Sequence, residues 1–129
     1  MRAATTCPLS GGFWKNHAAL WPCATLTLGS QSYAEAALLN ILNTPTGSPA
    51  DASLILADQL IAAKLNVVNG ADPTAILATL ADADSLLGTV AGTLPYKVSA
   101  KSTMGKAMIA DANTLERFNT GGMTPGCSH

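Results

Sequence analysis

The segment from Ala50 to Asn69 constrains this chain more than any other. Pro49 stands at its start and Gly70 just past its end, the asymmetry expected at the two ends of a helix. Leu54, Ala57, Ile61, Leu65 and Val68 recur at helical spacing, and Leu56 and Leu60 widen that face. A helix apolar over so much of its circumference has to be covered on several sides. It should be central, and the rest of the chain should wrap around it.

The remaining segments read as helices too. A first short one covers Gly11 or Gly12 to Leu20, with Ser10 as N-cap and Pro22 as stop. A second runs from Ser32 to Leu42, where Ser32 and Glu35 have capping-box spacing and Leu38, Ile41 and Leu42 make one stripe with Ala34. Asp72-Pro73 opens a fourth that ends at Leu87 before Gly88, burying Ile76, Leu77, Leu80 and Leu87. A linker from Thr89 to Val98 leads to a fifth, from Ser99 to Asn119, with Met104, Met108, Ile109, Leu115 and Phe118 inward. Thr25 to Leu28 alternates for four residues and reads as a short extended piece, with no hairpin signal around it. The expectation is an all-α, compact five-helix bundle-like domain over 1–129, with 1–6 a flexible start and 123–129 irregular.

Charged residues are 12% of the chain, roughly half the usual share. Seven basic residues spread singly and a net charge of -1 argue against a nucleic-acid surface and against polybasic membrane attachment. No apolar run approaches the ~20 residues of a membrane span, because Asp58, Gln59, Lys64 and Asn66 interrupt the longest ones. Met1 to Thr6 lacks the apolar core of a signal peptide and reads as a start placed before a mature, exported chain, a cytosolic start being the alternative. A surface decorated with Thr, Ser, Gly and Asn suits the extracellular reading. The three cysteines allow Cys7–Cys127, leaving Cys23 free, or Cys7–Cys23, leaving Cys127 free. The first would pin both termini, a closure worth about 4–5 kcal/mol on chain-entropy grounds.

Chemistry-bearing side chains concentrate in Gly12-Phe13-Trp14-Lys15-Asn16-His17 and Trp21-Pro22. Trp14, Lys15, His17, Trp21 and Tyr33 form a candidate binding surface: rings for stacking, an imidazole for protons, an ammonium for an anion. In the structural alternative the indoles fill the end of the bundle and His17 donates to a backbone carbonyl or a buried acid. Asp58, inside the most apolar helix, needs a partner, and His17 is the natural one, with Lys15 or an indole N–H next. A His17–Asp58 pair is half of a hydrolytic triad, with Ser10, Ser30, Ser32 or Cys23 as nucleophile. None of these lies in a Gly-x-Ser-x-Gly elbow, so a structural pair is the better expectation. Gln59 and Asn66 share a face and should staple loop backbone such as Asn43 to Ser48. His17, His129, Asp58 and Cys127 lack metal-ligand spacing, so neither metal nor cofactor is expected. Asp82 and Asp84 point to different faces, and Asp111 and Glu116 read as solvated, which disfavours a paired-carboxylate glycosidase.

Several ordered blocks resemble an uncharacterised module of secreted bacterial and archaeal proteins. They are Gly12-Phe13-Trp14-Lys15-Asn16-His17, then Leu39-Asn40-Ile41-Leu42-Asn43-Thr44-Pro45, then Leu56 to Asn66, and finally Thr124-Pro125-Gly126-Cys127. The resemblance implies export, often within larger surface proteins, and a terminal cysteine pair. Two positions depart from it: Asp58 stands where the module often has His, and Gly126-Cys127-Ser128-His129 replaces a closing Gly-His-Cys. The functional expectation is a secreted, non-catalytic structural or interaction module that meets a protein or glycan at the cell surface. A small hydrolase built on His17 and Asp58, and a self-assembling homo-oligomeric subunit, are the alternatives.

Overall fold

The computed structural model describes residues 6–127. The flexible start expected for 1–6, Thr6 aside, and any role for His129 lie outside the described residues.

Among the described residues there are five α-helices: α1 Gly11–Asn16, α2 Glu35–Asn43, α3 Ala52–Val68, α4 Leu77–Gly88 and α5 Thr103–Asn119. Helix α3 is the centre. Eleven of its 17 residues are buried, and it packs most extensively against α5, with α1, α2 and α4 around it. Ala57, Ala62 and Ala63 are fully buried on it and let neighbouring backbones come close. Only Val68 of the expected apolar set escapes, at 52% exposed in the last turn. Asp51 caps the helix, its carboxylate accepting from the Ser53 N–H at 2.9 Å.

The fold is mostly helical but not all-α. Strands β1 Thr25–Leu28 and β2 Gln31–Ala34 pair antiparallel, with Leu26 opposite Tyr33 and Leu28 opposite Gln31. The two-residue connection is Gly29-Ser30, and Gly29 carries the positive φ of 65° that such a turn needs at its first position. The capping box read at Ser32 and Glu35 therefore does not form. Pairing turns Leu26, Leu28 and Tyr33 into the core, which outweighs the local cap, and α2 starts only at Glu35 with no side-chain cap. The hairpin is pinned from below. Lys64 of α3 donates to both carboxylate oxygens of Asp84, at 2.9 and 2.8 Å, and to the Thr27 carbonyl, while Asp84 accepts from the Gly29 N–H at 2.8 Å. A Cβ on Gly29 would fall 2.8 Å from the Gly88 nitrogen, so the hairpin sits directly on the end of α4.

Two other segments are shorter or turned from expectation. The first helix ends at Asn16, and a separate 3₁₀ turn, Ala18–Leu20, succeeds it. The Asp72-Pro73 start builds a 3₁₀ turn, Thr74–Ile76, with Asp72 accepting from the Thr74 N–H and hydroxyl. That turn winds tighter than an α-helix and shifts the phase of α4. Ile76, Ala83 and Leu87 consequently face inward while Leu77 stands 57% exposed. Helix α5 begins at Thr103, capped by Ser102, whose hydroxyl accepts from the Gly105 N–H, rather than near Ser99.

Cys7 and Cys127 are disulfide-bonded across a sequence separation of 120, with Cα atoms 5.4 Å apart, and Cys23 is free. No helix among the described residues is long and apolar enough to cross a membrane.

Candidate functional site

The aromatic-rich opening segment is drawn into the interior by one amide. Asn66, buried near the end of α3, accepts at Oδ1 from the Leu9 N–H at 2.7 Å and from the Trp14 indole N–H at 3.0 Å. Its Nδ2 donates to the Leu9 carbonyl at 2.8 Å and to Asn119 Oδ1 at 3.0 Å. Asn119 in turn donates to the Gln59 carbonyl and to Gln59 Oε1. Gln59 and Asn66 thus lie in one network with Asn119, a residue that carries no mark of this role in its own stretch of sequence. The backbone the network holds is the Leu9 segment, not Asn43 to Ser48. Every hydrogen-bonding position of the Asn66 side chain is used, as burial demands.

Of the candidate contact residues, Trp14 is 1% exposed and Tyr33 6%. The Tyr33 hydroxyl accepts from the Leu94 N–H at 3.0 Å. Trp21 is half-buried and donates its indole N–H to the Trp14 carbonyl at 2.8 Å. Lys15 and His17 are exposed. The His17 ring stacks on Phe13 at 4.2 Å, and its Nδ1 meets the Phe13 carbonyl at 2.7 Å, so Nδ1 carries the proton.

The expected His17–Asp58 hydrogen bond is not made. Asp58 Oδ1 is buried without a partner, because the His17 ring turns back onto its own helix. Burial pushes the Asp58 carboxyl up to about 7, against the pull of Lys15. The nucleophile candidates are no better placed. Ser10 accepts from the Phe13 N–H as the α1 cap. Burial, with Glu35 beside it, pushes the Cys23 thiol up, away from the reactive thiolate. Asp111 is less solvated than its sequence context suggests. Its Oδ2 is buried without a partner, and burial, with the carboxyl of Asp82 bonded to it across α4 and α5, pushes it up. Among the described residues no group of three or more His, Cys, Asp or Glu could hold a metal ion.

A different concavity lies at the other end of α3. The Asp51 carboxylate collects four hydrogen bonds. Oδ1 accepts from the Ser53 N–H and hydroxyl and from the Val98 N–H at 3.0 Å, and Oδ2 accepts from the Lys97 N–H at 3.0 Å. The Ser53 hydroxyl accepts from the Tyr96 N–H at 3.0 Å, and the Ala52 N–H donates to the Val98 carbonyl at 2.8 Å. On the other side, the Asp51 N–H donates to the Thr46 carbonyl at 2.8 Å. One residue so clasps the α2–α3 loop and the α4–α5 linker together. Between them opens a groove of about 450 Å³, walled by Pro45, Pro49, Pro95, Leu54 and Val98, with Thr46 and Lys97 on its lining. Lys97 holds φ at 57°, a conformation uncommon outside glycine, fixed by the bond from its N–H to Asp51. One sign of this site is local in the chain, an aspartate two before a serine at a helix start. The partners lie 46 and 47 residues away and left no periodic trace.

Comparison with protein-family models, with curated proteins and with solved structures finds no match for the chain.

Proposed function

We propose that this chain is a secreted, non-catalytic interaction module and that its contact surface is the proline-walled groove clasped by Asp51. The observation that carries this reading is the groove itself, a concavity whose walls are held in place before any ligand arrives. Proline side chains lose almost no rotamer freedom on contact, and the Asp51 bonds fix the two backbones that carry them. Its volume falls in the range of small-molecule sites. The sparse charge, the bond between Cys7 and Cys127 and the resemblance to a secreted module support export. The non-catalytic part rests on how the aromatic segment is spent: both indole N–H groups and the His17 Nδ1–H are engaged by the fold.

The test is a fragment screen followed by amide NMR, using neutral, cationic and anionic compounds. The reading expects perturbations concentrated in residues 44–51 and 94–99. Perturbations confined to Lys15, His17 and Trp21, or ester hydrolysis abolished by His17→Ala, would overturn it.

A further inference from the structure

We infer that Asp82 of α4 and Asp111 of α5 form a latch closed by one shared proton, which holds the two helices together in acid and loosens them as the surroundings turn alkaline. The latch stands apart from the groove and does not depend on it.

Its geometry is a carboxyl bonded to a carboxyl across the α4–α5 contact. Neither group carries a hydrogen when ionised, so a bond between them requires a proton on one of the two. Asp111 Oδ2 is buried without a partner, so no donor compensates a charge on it. The influences on Asp111, burial first and then the Asp82 carboxyl, all favour the proton. No cation flanks either acid along its own helix. The residues three and four away are Ala107, Met108, Thr114 and Leu115 on α5, and Ala78, Thr79, Ser85 and Leu86 on α4. Asp84 on α4 and Lys106, Glu116 and Arg117 on α5 lie off that spacing. On α3, which packs against both helices, Lys64 is committed to Asp84, and Asp58 feels Lys15. Strand β1 and the Thr74–Ile76 turn carry no charged residue.

Helix α4 is where such a latch tells. Of its 12 residues only Ala83 and Leu87 are buried, against eleven of 17 on α3. A helix of that length is marginal in water without packing. When the shared proton leaves, the bond is lost and two carboxylates face each other, which removes a sizeable part of the hold of α5 on α4.

The experiment follows the aspartate carboxyl carbons of ¹³C-labelled protein through a pH titration. It also reads amide exchange at about pH 5 and about pH 8, in an Asp58→Asn background that removes the other shifted acid. The two carboxyls are expected to titrate as one coupled system, each carbon reporting both steps, the upper at about 7. Protection of the amides of residues 81–85, corrected for intrinsic rates, should fall about tenfold from the lower pH to the higher, a fall the α2 amides do not share. Asp111→Asn should abolish it, because an amide donates to the Asp82 carboxylate at either pH. Independent single-step titration of the two carboxyls overturns the proposal. So does the absence of a fall in α4, an equal fall in α2, or a fall that survives Asp111→Asn. The wild-type carboxyl titration decides even where a variant fails to fold.

Discussion

Near the C-terminal end of α3 the Asn66 amide holds the Leu9 backbone and the Trp14 indole; at the N-cap the Asp51 carboxylate holds the backbone of Lys97 and Val98. Each is a single polar side chain on the central helix that satisfies four hydrogen bonds and ties distant chain onto the core. The outcomes differ. At the Asn66 end the tie buries the Trp14 indole, and the smaller concavity there, about 280 Å³, is lined by Leu9, Ser10, Phe13 and Thr120. At the Asp51 end it holds two proline-bearing loops apart, and a groove stays open between them. The two indoles are thus spent on the fold, whereas the groove is walled by plain residues. What decides is where the backbone is tied, not which side chains the local sequence carries.

The comparison can be broken from either end. The largest effect is expected from the disulfide, which fastens the strand entering Leu9. Cys7→Ser with Cys127→Ser should lower unfolding free energy by about 4 kcal/mol, read by denaturant titration. Asn66→Ala should cost about 3 kcal/mol, since it strands the Leu9 and Trp14 donors and Asn119 Oδ1 in the interior. Because the disulfide and Asn66 hold the same segment, those two losses should couple in a double-mutant cycle. Asp51→Ala should cost about 2 kcal/mol and add independently to either, the sites lying at opposite ends of α3. It should also abolish fragment binding in the groove, which Asn66→Ala leaves in place as long as the protein stays folded. Additivity between Asn66 and Cys7, or coupling between Asn66 and Asp51, would dissolve the distinction.

The smallest effect concerns Asp58, near the middle of α3, whose Oδ1 is buried without a partner. Its folded pKa of about 7 lies above the ordinary 3.8, so the folded state binds the extra proton between those values. Stability should therefore fall as pH rises through that window, and Asp111, shifted the same way, adds to the fall. Asp58→Asn should gain about 1 kcal/mol at pH near 8, after allowance for its partial exposure, and almost nothing near pH 4. Thermal melts at the two pH values check it. An equal gain at both would remove titration as the cause.

Much of the frame was legible in the residues. Helix α3 announced itself through Pro49, Gly70 and an apolar circumference, and an amide such as Asn66 inside it had to find partners. The hairpin was also written there, as Gly29-Ser30 between two four-residue runs. The stronger local signal at Ser32 and Glu35 masked it, and only burial of Tyr33 against Leu26 decides between them. The phase of α4 was out of reach, because a 3₁₀ turn at Thr74 to Ile76 reads like the first turn of an α-helix. The groove was least legible of all. Its clasp joins Asp51 to backbone N–H groups 46 and 47 residues on, and backbone groups carry no sequence signature.

The most direct measurement is hydrogen exchange at the two indole N–H groups, monitored by NMR. With Trp14 at 1% exposure and bonded to Asn66, its indole proton should exchange only through global unfolding, with a protection free energy equal to that from denaturant melts. The half-buried Trp21 proton should exchange faster, through local opening. A Trp14 indole proton that exchanges as rapidly as one in a free peptide would contradict the account, because the aromatic segment would then lie open to partners and the groove would lose its distinction.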